Sequence, residues 1–471
     1  MDTRLEIPFA GDYVASDPKT LSAQRLVNMY PEIPGQGAFS PIVFRTVPGL
    51  ATYKTAGTAG ARSDGVRFKD KAYFVMGSSL VSIDATGTVT TVGTLSTSTG
   101  WCGMAAGRVH LLIADGAKGY YTDGVTLTTI GDADFPATRH VAWLKGVFVC
   151  VKEGTDQFYY GDVADSAASW TELAWATAER KPDKILTVKS FANAVWFFGE
   201  ATVEGYYLSG SLQYPFEPAN AVMDYGTAAA LSVADCSMGV AWLATTEKGG
   251  YAIMMASMGG QVQRLSTENL ERKLLDYTDI AAAQAFFYSD GGHTFYVLTF
   301  PTSLVTWVYD LTTRIWHERT SALLGRWRAA AYCFLGGKHL VADYTDPQIY
   351  EMSSSTYKDV SDPIRREIVS QYMSQNGRRL SHHKITLPVS AGVGNTNDPG
   401  SDPEVMLEWS SDGMAWRGGM TRSIGKKGET WVTPKFYKLG SDVKRCYRVV
   451  NSSQTDFVVY KAYADISVGA Y

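Results

Sequence analysis

Between residues 66 and 345 the chain repeats one pattern: an apolar run, a tight turn, then a second and more apolar run. Residues 66–75, 104–113, 141–150 and 188–198 carry it, and further copies centre on Gly249-Gly250, Gly291-Gly292 and Gly336-Gly337. The turn positions 70, 107, 146, 193, 249, 292 and 336 lie 37, 39, 47, 56, 43 and 44 residues apart. A period of about 40–50 residues is the length of one four-stranded propeller blade. The turns hold Lys-Asp, Ala-Gly-Arg, Lys-Gly and Gly-Gly, residues that tolerate positive φ between paired strands. Each unit adds a third strand, as at 157–162 or 306–310, and a Trp-bearing fourth, as at 169–172 or 314–318. Closing six or seven such meanders into a ring leaves only short edges. The chain is therefore expected to be all-β, with a six- or seven-bladed β-propeller over residues 46–355. A ring of this kind explains how 471 residues exceed the roughly 250–300 at which a single core stops growing.

The flanks differ from the repeat. Residues 1–45 hold Pro8, Pro18, Pro31, Pro34 and Pro41 among polar residues and read as an extended N-terminal arm lying on its own core or on a neighbour. The pattern stops at Ser353-Ser354-Ser355-Thr356, so residues 356–363 read as a linker. Strand-like runs from 364 to 471, interrupted by a loop at 392–400, predict a second domain, a jelly-roll-like β-sandwich. One helix is predicted, over 267–275, where a Ser/Thr cap precedes acid and then base.

Charged residues make up 19 % of the chain and the net charge is −4, low against roughly 25 % charged in ordinary soluble proteins. A whole-surface nucleic-acid binder would be strongly basic. The charge is uneven: residues 365–471 hold 15 Lys and Arg against 10 Asp and Glu, whereas the first 364 hold 28 against 37. The basic stretch contributes Arg365, Arg366, Arg378, Arg379, Lys426, Lys427, Lys444, Arg445 and Arg448. These recurring twins suit either an anionic partner such as DNA phosphate or an acidic neighbouring subunit. Residues 1–6 form no apolar run, and no segment reaches the roughly 18 apolar residues of a membrane span. The five scattered cysteines, with no C-x-x-C among them, read as reduced thiols of a protein made in a cytoplasm.

Catalytic constellations are weak. Residues 410–416, Ser-Ser-Asp-Gly-Met-Ala-Trp, resemble an Asp-box, which reads first as a stable hairpin turn. His382-His383 has no further ligands near it in sequence, so no metal site is expected. Glu200 with Glu204 and Asp162 with Asp165 are carboxylate pairs without a surrounding motif. No phosphate loop, dinucleotide fingerprint or nucleophile elbow occurs. No catalytic, cofactor-binding or metal-binding residue is assigned.

Several islands appear in a shared order: Arg25-Leu26-Val27-Asn28-Met29-Tyr30-Pro31, then Val47-Pro48-Gly49-Leu50, then residues 153–159, then residues 195–207 with 214–218, then residues 263–267. Together they resemble the phage stabilisation protein family, the packaged-DNA stabilisation and tail hub or nozzle proteins of short-tailed phages such as those infecting Salmonella. The resemblance implies a non-enzymatic virion protein of the tail. It implies a homohexameric tube below the portal and its adaptor, holding a needle or plug distally, near a tailspike or fibre. Packaged double-stranded DNA would lie in the lumen, weakly contacted. The first 24 residues and the loop lengths depart from the family pattern. A carbohydrate-binding or sialidase-like propeller of a phage tail fibre is the alternative reading of the same repeat.

Overall fold

The computed structural model describes residues 3–469 except 162, 172–173, 179–182, 212–214, 247 and 397–399. Among the described residues seven four-stranded antiparallel blades follow one another, the sixth and seventh within larger sheets. Their innermost strands are Val66–Phe68, Gly103–Ala106, Val141–Leu144, Ile185–Phe191, Ala234–Cys236, Gln284–Asp290 and Ala329–Leu335. Each of these strands packs on the next. A short 3-10 turn at Ala230–Ser232 bridges the fourth and fifth, and the seventh returns to the first. The blades bury their faces against one another. One cluster sets Phe74, Val81 and Ile83 of the first blade against Ala331, Leu340 and Ile349 of the seventh. The core is thus distributed between neighbouring sheets, as in other repeat folds.

The turn at Gly249-Gly250 joins the second and third strands of the fifth blade, rather than the first and second. The equivalent first turn is Ser237-Met238, between Ala234–Cys236 and Gly239–Thr245. It holds neither Gly nor Asn, so turn chemistry could not mark it. The long interval before the sixth blade contains the helix Glu268–Leu275, capped by the Thr267 side chain accepting from the Leu270 N–H.

Ring closure uses a distant piece of chain. The seventh blade takes its outermost strand from Gly49–Thr55, which pairs with Gln348–Ser353 in the register Leu50 to Met352. The hairpin of Lys358–Asp359 and Asp362–Pro363 then lies along Gly49–Thr55, with Asp359 beside Leu50. Residues 356–363 are therefore part of a sheet and not a free linker. A Cβ on Gly49 would sit 2.2 Å from the Thr356 carbonyl oxygen, so this junction requires glycine.

Residues 3–45 lie on the chain's own core, and they do so as short strands. Thr3–Glu6 pairs with Tyr463–Val468, Arg25–Val27 with Arg366–Val369, and Val43–Thr46 with Val458–Val459. Pro8, Pro18, Pro34 and Pro41 fall outside the strands, and Pro31 sits within the four-residue strand Met29–Glu32, so the stretch looked unstructured. Two sheets face each other in this second module. One contains Thr3–Glu6, Tyr463–Val468, Leu380–Thr386 and Lys435–Tyr437. The other contains Arg25–Val27, Arg366–Val369, Lys444–Asn451, Glu404–Ser410 and Arg417–Ser423. Ile7, Phe9, Leu26, Ile368, Ile385, Leu407, Phe436, Val449 and Ile466 form the core between them.

The second of these sheets is continuous with the sixth blade, because Val27 also pairs in parallel with Glu318. Polar contacts fix that joint. Arg25 donates to Glu318 at 2.7 and 2.5 Å and lies 3.8 Å from Glu367. Asn28, in the left-handed region at φ 53°, donates its side-chain amide to the carbonyls of Thr320 and Arg365 at 3.1 and 2.8 Å. The Thr320 N–H returns a bond to Asn28 Oδ1 at 3.0 Å. Asn28 is buried, so Asn28→Ala leaves two carbonyls and one N–H without partners. The expected loss is about 2–3 kcal/mol, read as a lowered urea midpoint. Unfolding followed by Trp fluorescence should broaden or split as propeller and sandwich uncouple.

Candidate functional site

The propeller's own channel is a cavity of 520 Å³ lined by all seven innermost strands. Asp64, Arg67, Lys189 and Asp235 supply its charge, and Trp143, Phe286, Tyr332 and Phe334 its aromatic surface. Lys189 of the fourth blade reaches to Asp64, just before the first blade's inner strand, with Nζ to Oδ2 3.7 Å. Burial raises the Asp64 pKa above the usual carboxylate range. Burial also works against the Lys189 charge, but Asp64 and Asp235 outweigh it and hold its pKa above normal. Arg67 is bonded to Asp70 at 2.6 Å. A volume of this size suits a small molecule and is far too narrow for a nucleic-acid duplex. Lys189 instead ties opposite sides of the ring together across the channel.

The two ends of the propeller differ. Because adjacent strands are antiparallel, the turns joining first to second and third to fourth strands emerge on one face. Eight exposed apolar side chains lie in or beside those turns: Val109, Val125, Val163, Trp175, Tyr207, Met238, Met258 and Phe334. The opposite face exposes Tyr225, Leu275, Leu304 and Leu323. Apolar residues inside turns otherwise made of Gly and polar residues are the signal that sequence reading could have used. Grouped exposed apolar surface of this kind marks interaction faces.

A family model described as "Bacteriophage P22 Gp10, beta-propeller" matches residues 5–357, three quarters of the chain. The chain belongs to this phage stabilisation family. The protein is therefore a phage structural propeller and a virion component. No curated protein matches it. Among solved structures it is similar to the Pan2 WD40 domain of Neurospora crassa, at 8 % identity over 66 % of this chain and 95 % of that one, with a TM-score of 0.42. It is also similar to virginiamycin B lyase from Staphylococcus aureus, at 10 % identity over 66 % and 98 %, with a TM-score of 0.41.

The basic residues do not form one patch. Successive side chains of a strand point to opposite faces, so a twin in a strand sends one member inward. Arg366 is fully buried and donates to Asn451 Oδ1 and the Ser453 carbonyl at 2.5 and 2.8 Å, and burial lowers its pKa to about 10. Arg445 is buried too, bonded to Asp442 at 2.8 Å and to the Leu439 carbonyl. These two face neither DNA nor a subunit. Arg365 pairs with Glu367 at 2.9 Å, and Arg448 with Glu408 at 2.7 Å while covering Trp416. Lys444 donates to the Thr20 carbonyl at 2.6 Å, tying down the N-terminal segment. Arg378, Arg379, Lys426 and Lys427 are the exposed remainder. Arg378 and Arg379 lie at the hairpin before Leu380–Thr386, with Arg379 reaching the Ser441 carbonyl.

The other sequence candidates resolve into structure. Asp412 accepts from the N–H groups of Met414 and Ala415 at 2.8 and 2.9 Å, and these bonds pull its pKa to about 2, so the Asp-box is a turn device. His382 is buried against Tyr447, whose hydroxyl lies 2.6 Å from Nδ1, and burial lowers its pKa to about 4. His383, on the exposed side, lies 2.7 Å from Ser467 Oγ. Glu204 is buried beside the Tyr206 hydroxyl, whereas Glu200 is exposed. Asp162 lies outside the described residues. Among the described residues no group of His, Cys, Asp and Glu has the geometry of a metal site.

Lys189→Met tests the role of the channel charge. A carboxyl whose folded pKa is raised stabilises at low pH, and that stability is lost as pH rises through its folded value. Removing Lys189 pushes Asp64 further in this direction. The variant should lose about 1 kcal/mol at pH 7, the partial exposure of both side chains weakening the pair relative to a fully buried one. The deficit should shrink as pH falls toward 4, which thermal melts across pH would read directly.

Proposed function

We propose that this protein is the tail hub or nozzle subunit of a short-tailed phage. Six copies form a tube below the portal and adaptor, which retains the packaged DNA and conducts it at ejection. The match of residues 5–357 to the phage stabilisation family carries this reading. The propeller channel is too small for a duplex, so the DNA path runs between subunits and not through any one of them. The apolar turn face supports the same assignment, since a ring needs surface that is stable when covered. The continuous sheet from sixth blade to sandwich suits a part that must resist load without bending at a hinge.

Negative-stain microscopy of the purified protein, alone and with its portal and adaptor, tests the proposal. Six-fold rings attached to the adaptor are expected. Persistent monomers with all three components present would overturn it. Val125→Lys combined with Met258→Lys places two charges on the apolar turn face. Both residues are exposed, so the melting temperature should stay within about 2 °C, while ring formation measured by sedimentation should fall at least tenfold.

A further inference from the structure

We propose that the loop between the strands Arg417–Ser423 and Lys435–Tyr437 is the surface through which this protein touches the phosphate backbone of duplex DNA. The proposal rests on the reading that DNA passes this protein, and it names the contact.

The excess positive charge of residues 365–471 has to reside somewhere, and the buried and acid-paired residues account for much of it. Of the cations that remain exposed, four gather here. Arg422, Lys426, Lys427 and Lys435 all lie on the surface within fourteen residues, and none is in an ion pair among the described residues. Among the described residues the nearby acids are engaged elsewhere. Glu429 accepts from the backbone N–H of Lys426 at 2.9 Å, and Asp402 accepts from the Ser423 hydroxyl at 2.5 Å. The carboxylates therefore shape the loop and leave the ammonium groups unpaired.

The loop is held in one shape. The Gly428 N–H donates to the Gly392 carbonyl at 3.2 Å, and the Glu429 N–H to the Lys426 carbonyl at 3.0 Å. A Cβ on Gly394 would fall 2.8 Å from the Ser401 carbonyl oxygen and 2.9 Å from the Lys427 nitrogen, so the neighbouring loop is pressed against this one. Arg422 donates to the Lys435 carbonyl at 3.2 Å, which pins the base of the loop. At the tip Trp431 is 77 % exposed, an indole free to lie against sugar or base.

Charge and shape favour a polyphosphate over other partners. Interface cores are depleted in Lys, and a narrow loop cannot supply the roughly 800 Å² per partner of a stable subunit contact. One indole is too little apolar surface for stable membrane attachment. Four cations can neutralise at most four phosphates, which gives a binding slope against log salt of about −3 to −4. Such contact is weak enough to let DNA move along it.

The test measures binding of a fluorescently labelled duplex to the full-length protein by anisotropy, between 25 and 200 mM salt. Wild type should bind with the slope stated above. Lys426→Glu with Lys427→Glu should weaken binding at least tenfold at 25 mM salt and flatten the slope by about 2. Arg378→Glu with Arg379→Glu should change it less than twofold. An unchanged melting temperature confirms that the exposed substitutions leave the fold intact. Equal binding by the Lys426 and Lys427 variant, or no duplex binding by wild type at 25 mM salt, overturns the proposal. So does binding that moves instead to vesicles of anionic phospholipid, or a loss of self-association without any change in DNA binding. Duplex binding by a protein that forms no ring would sink the hub assignment and leave this contact standing.

Discussion

The backbone pairing of Gly49–Thr55 with Gln348–Ser353 is the contact on which the rest of the molecule depends. Six blades are built from consecutive chain and could form locally. The seventh cannot be completed until two segments some three hundred residues apart meet. A closed ring hides its edges, whereas an open one exposes a long unpaired strand. Closure therefore links the formation of all seven interblade cores to one long-range event. It also carries the chain outward on both sides of the junction, with Thr356 hydrogen-bonded to both Gly49 and Ser353.

That geometry determines where the N-terminal residues go. Leaving the seventh blade, they pass beside the sixth and enter the sandwich as strands. Arg25 and Asn28 then sit between propeller and sandwich and bond to both. The joint is polar because it lies at sheet edges, where unpaired backbone groups must find partners. The outcome is one continuous sheet from the sixth blade into the second module. Relative motion of the two would break main-chain hydrogen bonds, which suits a structural part of a virion.

Charge is distributed by the same logic. In the channel, opposite charges face across a narrow space and neutralise one another. In the strands of the sandwich, inward-pointing arginines are matched to carbonyls, Asn451 or Asp442. Among the described residues of the sandwich, Arg422, Lys426, Lys427 and Lys435 escape ion pairing, in one loop and at the near ends of the two strands that flank it. The apolar residues at one end of the propeller follow from turn geometry as well. They sit where no neighbouring blade can cover them, so covering them requires another chain.

The repeat, the turn chemistry, the helix cap at Thr267 and the all-β character were legible in the sequence because each depends on residues close together along the chain. The turn at Ser237-Met238 was not, since its conformation is imposed by flanking strands and not by Gly or Asn. The twin basic residues look equivalent in sequence, yet Arg366 and Arg445 are buried while Lys426 and Lys427 are exposed. Trp431, Arg422 and Lys435 were overlooked because they stand singly. By itself the sequence determined a chain of four-stranded meanders, since alternating apolar residues and tolerant turns specify local pairing. The tertiary structure alone decided which distant strand closes the ring, where the first 45 residues lie and which cations reach solvent. Those outcomes depend on contacts between segments far apart in the chain, and local patterning carries no information about them.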